Sequence, residues 1–85
     1  MSNQFSLYYR PTCFFCVRVL QQLPNIAIGI KTLNISEDRE ALLELREKGG
    51  KQQVPALKYF NERGEETWMY ESLDILNFLN TQSKD

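Results

Sequence analysis

The sequence predicts an α/β fold of order βαβαββα, a mixed four-stranded sheet flanked by three helices, in one domain spanning residues 1–85. Three observations carry that expectation. Stretches with a helical apolar period alternate with short β-branched and aromatic runs. The breaks between them fall at Pro11, Pro24, Gly49-Gly50, Pro55 and Gly64, with no repeat and no Pro/Gly/Ser-rich linker. A chain of 85 residues with 42% hydrophobic content supplies one core, whereas either half alone would bury too little surface to offset chain entropy.

Phe5 to Tyr9, apolar and rich in aromatics, reads as the first strand, and Arg10-Pro11-Thr12 as the loop after it. At about 100° per residue from Cys13, one face carries Cys16, Val17, Val19, Leu20 and Leu23, and the other carries Arg18, Gln21 and Gln22. An amphipathic helix follows, with Thr12 as its N-cap and Pro24 as its stop. Ile26 to Ile35 alternates loosely and reads as a second strand, parallel to the first because a helix joins them. Ser36-Glu37-Asp38 opens a second helix with Ala41, Leu42 and Leu45 on its apolar side, and Lys48-Gly49-Gly50 closes it. Val54 to Phe60 and Thr67 to Tyr70 form an antiparallel hairpin about the turn Asn61-Glu62-Arg63-Gly64. Ser72 caps a last helix that buries Ile75, Leu76, Phe78 and Leu79, before a polar tail from Thr81 to Asp85 frays.

Composition narrows the function. Charged residues make up 25% of the chain and nearly balance to a net charge of −1, which gives no basic field for nucleic acid or anionic lipid. No apolar run approaches the roughly 20 residues of a membrane span, and Met1 to Phe5 lacks the order of a signal peptide, so no membrane partner and a cytoplasmic location are expected. Two cysteines only two residues apart close a loop too small to restrict the unfolded chain much, so a structural staple is a poor explanation. With no other cysteine and no histidine, one chain cannot build a zinc site, and no metal ligands are expected.

Position makes the cysteine pair reactive. A Cys-X-X-Cys at the first turn of a helix, directly after the first strand of a βαβ unit, sets Cys13 beside unpaired backbone N–H groups and the positive end of the helix dipole. Both favour a thiolate, so Cys13 is the expected nucleophile. Cys16 lies on the apolar side and is the expected resolving thiol. The alternative, two small buried hydrophobes, is common for isolated cysteines but does not explain this placement. Phe14 and Phe15 fall on the polar side, so at least one ring should be exposed at the mouth of the site and offer apolar contact to a thiol substrate. Trp68 is expected to pack within the hairpin.

Three segments, Tyr9-Arg10-Pro11-Thr12-Cys13-Phe14-Phe15-Cys16, Gln53-Val54-Pro55 and Glu71-Ser72-Leu73-Asp74-Ile75, together resemble the glutaredoxin family over nearly the whole chain. The resemblance implies a thioredoxin fold and a dithiol enzyme. In that family's pattern Cys13 attacks a glutathionylated protein, and Arg10 faces the glycyl carboxylate of glutathione, with Lys51 or Gln52 helping at the same end. Val54 pairs its backbone with the cysteinyl part as an added strand would, and Pro55 holds that edge open in the cis form. Ser72 offers its hydroxyl and N–H to the γ-glutamyl carboxylate, Asp74 contacts the γ-glutamyl amine, and Phe15 borders the ligand. Phe14 in place of proline, Gln53 in place of threonine and Leu73 in place of a polar residue depart from the pattern.

The implied function is glutathione-linked reduction of protein disulfides or glutathione mixed disulfides by a monomer, with glutathione as co-substrate and no tightly bound cofactor. Its protein partners would be disulfide-containing or glutathionylated. Two alternatives keep the fold. One is a dimer carrying a [2Fe–2S] cluster on Cys13 and glutathione; relatives specialised for it resemble Cys-Gly-Phe-Ser, whereas Cys16 is present here. The other is a thioredoxin-like electron donor reduced by a flavoprotein reductase, but Thr12 and Phe14-Phe15 do not match the Trp before a Cys-Gly-Pro-Cys site. Pro55-Ala56-Leu57 and Glu71-Ser72 are also similar to the N-terminal domain of glutathione transferases, but with no helical second domain in these 85 residues a transferase is not the expectation.

Overall fold

The computed structural model describes residues 5–26 and 28–82. Its elements are β1 (Phe5–Tyr9), α1 (Phe14–Gln22), β2 (Ile30–Asn34), α2 (Arg39–Glu47), β3 (Ala56–Phe60), β4 (Glu66–Met69) and α3 (Ser72–Gln82), with a 3₁₀ turn at Leu23–Asn25. The strands lie in the order β2-β1-β3-β4. β1 pairs parallel with β2 and antiparallel with β3, and β3 pairs antiparallel with β4, which is the mixed sheet expected of a thioredoxin fold.

Alternation along the two central strands builds a core on each face of the sheet. Phe5 and Leu7 of β1 and Leu57 of β3 pack with Val19 of α1 and with Ile75 and Leu79 of α3. Tyr8 and Ala56, the neighbours on those strands, pack with Ala41 and Leu45 of α2 and with Ile35. Both faces are therefore covered. Trp68 sits against Tyr8 with ring centroids 5.1 Å apart, half-buried against the core beneath α2 as its place in the hairpin implies.

Several boundaries differ from the sequence expectation. Thr12 is not the cap of α1. The Cys13 N–H donates to the Arg10 carbonyl at 3.2 Å, so Pro11 and Thr12 sit inside a turn and Cys13 itself becomes the extended N-cap residue. α1 ends at Gln22 with Leu23 as its C-cap, just ahead of Pro24 as expected, and the chain passes into a 3₁₀ turn whose start a residue without an N–H fits. Ile26 caps that turn and is buried in the core, and β2 begins only at Ile30. Ile35 is past the strand, although its N–H still donates to the Tyr9 carbonyl at 2.9 Å. Ala27 lies outside the described residues.

Asp38 is the member of Ser36-Glu37-Asp38 that caps α2, accepting from the Ala41 N–H at 3.1 Å. β3 starts at Ala56 because Pro55 has no N–H to give to a ladder. β4 runs from Glu66 rather than Thr67 and ends at Met69, so Tyr70 lies beyond it. Gly64 closes the hairpin turn at φ +77°, which a residue with a Cβ rarely adopts. Ser72 is the first helical residue of α3; the Ile75 N–H donates to the Glu71 carbonyl at 2.8 Å, so Glu71 holds the cap position. Thr81 and Gln82 remain helical, and the rest of the expected frayed tail lies outside the described residues.

Candidate active site

Cys13 stands where β1 has ended and α1 begins, held by the turn back to Arg10. The Cys16 N–H donates to its sulfur at 3.4 Å, and its thiol reaches the Val54 carbonyl at 3.9 Å. Both cysteines are free thiols. Their surroundings differ sharply. Cys13 is half-buried, whereas Cys16 has 0% of its surface exposed and packs inside. Burial pushes the Cys16 thiol up to about 12; the neighbouring Cys13 adds to this, and the Arg10 backbone and charge oppose it. The angular count that put Cys16 on the apolar face of the helix thus agrees with its position.

A cleft of about 350 Å³ opens beside the pair and is lined by three segments. Phe15 comes from α1, Gln53, Val54 and Pro55 from the approach to β3, and Tyr70 to Leu73 from the entry to α3. The Val54–Pro55 peptide is cis, as the family pattern implies. Phe14 and Phe15 are exposed by 70% and 56%, in line with the expectation of at least one exposed ring, and Phe15 lines the cleft. Leu73, exposed by 63%, extends this apolar rim from the opposite helix. A second hollow of about 530 Å³ between Thr32 and Glu40 is larger, but only the smaller cleft shares a wall with the thiols, through Val54, whose carbonyl meets the Cys13 sulfur, so the smaller one is the chemically relevant one. Among the described residues no group of three or more His, Cys, Asp or Glu could hold a metal.

The structure gathers Phe15, Val54, Pro55 and Ser72 around this cleft, with Cys13 against its Val54 edge and Cys16 behind Cys13. Arg10 is half-buried in the turn before Cys13 and forms no ion pair among the described residues. Lys51, Gln52 and Asp74 are exposed and do not line the cleft. The Lys51 ammonium instead lies 4.7 Å from the centre of the Tyr70 ring. Tyr70 and Glu71 line the cleft and were not singled out by sequence reasoning as ligand contacts. Their adjacency to Ser72 was the available signal, since a chain entering a helix N-terminus shares that helix's anion-facing end.

The glutaredoxin family profile matches residues 5–64. No curated protein matches the chain in sequence. Solved structures with the same fold include a thioredoxin from Fasciola hepatica, 13% identical, covering 96% of this chain and 81% of its own, with a TM-score of 0.68. Buckwheat glutaredoxin in complex with glutathione is 13% identical over 95% of this chain and 72% of its own, with a TM-score of 0.63. Glutathione transferase Omega 2S from Trametes versicolor is 18% identical over 98% of this chain but only 37% of its own, with a TM-score of 0.70. At such identities the structural likeness establishes the thioredoxin fold, and the profile match over most of the chain establishes kinship. The chain belongs to the glutaredoxin family of thiol–disulfide oxidoreductases.

Proposed function

We propose that this protein is a glutathione-linked oxidoreductase that reduces glutathione mixed disulfides and protein disulfides through Cys13 and Cys16. The observation that carries the reading is the accessible Cys13 sulfur, bonded toward the Val54 carbonyl beside a cleft that ends at the N-terminus of α3. The buckwheat relative, described in complex with glutathione, supports the choice of co-substrate.

In this cycle the Cys13 thiolate attacks the glutathione sulfur of a mixed disulfide, forming a Cys13–glutathione bond while the protein thiolate leaves and takes up a proton. A second glutathione thiolate then attacks that adduct, releasing glutathione disulfide and regenerating Cys13. On a protein disulfide, Cys16 instead attacks the Cys13–substrate bond, expels the substrate's second thiolate and leaves a Cys13–Cys16 disulfide for two glutathiones to reduce. Cys16 is protonated at neutral pH, so it must surrender its proton as the leaving thiolate forms. One chain carries both thiols, and the cycle needs no second copy. A reducing setting such as the cytoplasm would keep the pair in its working dithiol form.

Glutathione in the cleft would place its cysteinyl backbone along Val54 and its γ-glutamyl carboxylate at the Ser72 hydroxyl and the free N–H groups opening α3. Phe15 would cover its apolar side, with Arg10, Lys51 and Gln52 at the glycyl end and Asp74 toward the γ-glutamyl amine. A coupled assay of glutathione-mixed-disulfide reduction tests the reading. Wild type and Cys16→Ser should turn over and Cys13→Ser should be inactive; full activity of Cys13→Ser removes the enzymatic assignment.

A further inference from the structure

Tyr70 joins parts of the site that are far apart in sequence. Its ring lines the cleft, its hydroxyl donates to the Gly49 carbonyl, and the Lys51 ammonium sits over its ring at 4.7 Å. Burial holds the phenol above its usual range, so it stays protonated and a donor. Gly49 is enclosed on the same side. A Cβ built there would lie 2.6 Å from the Leu45 carbonyl oxygen, 2.7 Å from the Tyr70 hydroxyl and 3.1 Å from the Trp68 ring. The backbone path at Gly49 is therefore set by the last turn of α2, by Tyr70 and by Trp68 together. Gly50 follows with φ +81°, and residues 50–53 are exposed and outside any helix or strand. That stretch leads to Val54, whose carbonyl faces the Cys13 sulfur.

We propose that Tyr70 is a positioning residue for glutathione, holding the Gly49–Pro55 segment through the Gly49 carbonyl and setting the Lys51 charge at the cleft rim through its ring. This rests on the reading that glutathione occupies the cleft. The segment is held at Gly49 by Tyr70 and at its far end by the packing of Val54 and the start of β3, so slack at Gly49 shifts the approach to Val54, the main-chain edge on which the ligand is aligned. Lys51, absent from the cleft lining, acts on the ligand's carboxylate only so long as the ring holds it nearby.

The test is steady-state kinetics on a glutathionylated peptide with wild type, Tyr70→Phe, Tyr70→Leu, Lys51→Gln and the Tyr70→Leu/Lys51→Gln pair, beside amide hydrogen exchange of residues 50–54. Tyr70→Phe keeps the ring and loses the Gly49 bond, and should raise KM about two- to ten-fold with little change in kcat. Exchange at residues 50–54 should quicken while β1 stays protected. Lys51→Gln should raise KM in the wild-type background and add little in the Tyr70→Leu background. A wild-type KM and unaltered exchange in Tyr70→Phe overturn the proposal, as does a fall in kcat at constant KM, or a Lys51→Gln penalty that is equal in both backgrounds. If wild type fails to reduce any glutathione mixed disulfide, the functional reading falls, and the exchange comparison still decides whether Tyr70 holds the segment.

Discussion

Cys13 ends a turn and caps a helix, while Cys16, one helical turn further on, is enclosed by the core on which that helix packs. The difference in access sets the order of reaction. At neutral pH iodoacetamide should label Cys13 alone, giving one adduct per chain, and Cys13→Ser should resist labelling until denaturant is added or the pH approaches 12. Peptide mass mapping reads the outcome, and faster labelling of Cys16 in the native wild type would reverse the assigned roles. The apolar face that hides Cys16 was legible in the period of Val19, Leu20 and Leu23. The cap was not, because Thr12 and Cys13 both suit it until the Arg10 carbonyl closes the turn on Cys13.

At the level of elements, α2 is fastened to the sheet by a partly buried polar group. Glu44 accepts from the Lys58 ammonium of β3 at 2.6 Å and from the Tyr8 hydroxyl of β1. Burial by itself would raise this carboxyl, but the Lys58 and Tyr8 hydrogen bonds outweigh it and hold the group below its usual range. A lowered folded-state value stabilises the fold above the unfolded carboxylate range, and that contribution is lost as pH falls through the folded value. Glu44→Gln should therefore cost about 1–2 kcal/mol in urea unfolding at pH 7, with the difference from wild type shrinking in acid. A difference that stayed constant to low pH would disprove the linkage. Asp38→Ala, which strips the acceptor from the Ala41 N–H, should cost about 1 kcal/mol at neutral pH. The α2 start was narrowed to three residues by sequence, whereas Glu44 looked like an ordinary charge because its partners lie on strands 14 and 36 residues away.

Over the whole molecule, the two core clusters divide the labour between the faces of the sheet. Leu79, fully buried where α3 meets α1 and the sheet, should lose about 2–5 kcal/mol of stability on Leu79→Ala, read as a lowered urea midpoint with an unchanged slope. Charge at a distance should matter far less than charge at the site. Arg63 occupies the β3–β4 turn, separated from Pro55 by the five residues of β3, or roughly 17 Å at the usual rise. That exceeds a Debye length of roughly 10 Å at 0.1 M salt, so Arg63→Glu should leave kcat/KM for a glutathione mixed disulfide within about two-fold. Arg10→Glu, beside Cys13, should lower it about ten-fold or more, as loss of a charged hydrogen bond implies. Equal losses would indicate general electrostatic steering instead of carboxylate recognition.

The linear sequence determined the order of elements, the cysteine pair at a helix start and the three family motifs, because period, turn residues and local spacing are properties of neighbours along the chain. It also placed Cys16 inside and Phe15 outside, since a helix distributes its faces by angle alone. Only the tertiary structure brought Tyr70 and Glu71 into the cleft with Phe15 and Val54, set Lys51 on the Tyr70 ring and joined Glu44 to Lys58 and Tyr8. Those contacts depend on how β1, β3 and β4 register and on how the helices cross over them. Register is decided by simultaneous burial on both faces of the sheet, a condition that binds distant segments and leaves no mark on any one of them.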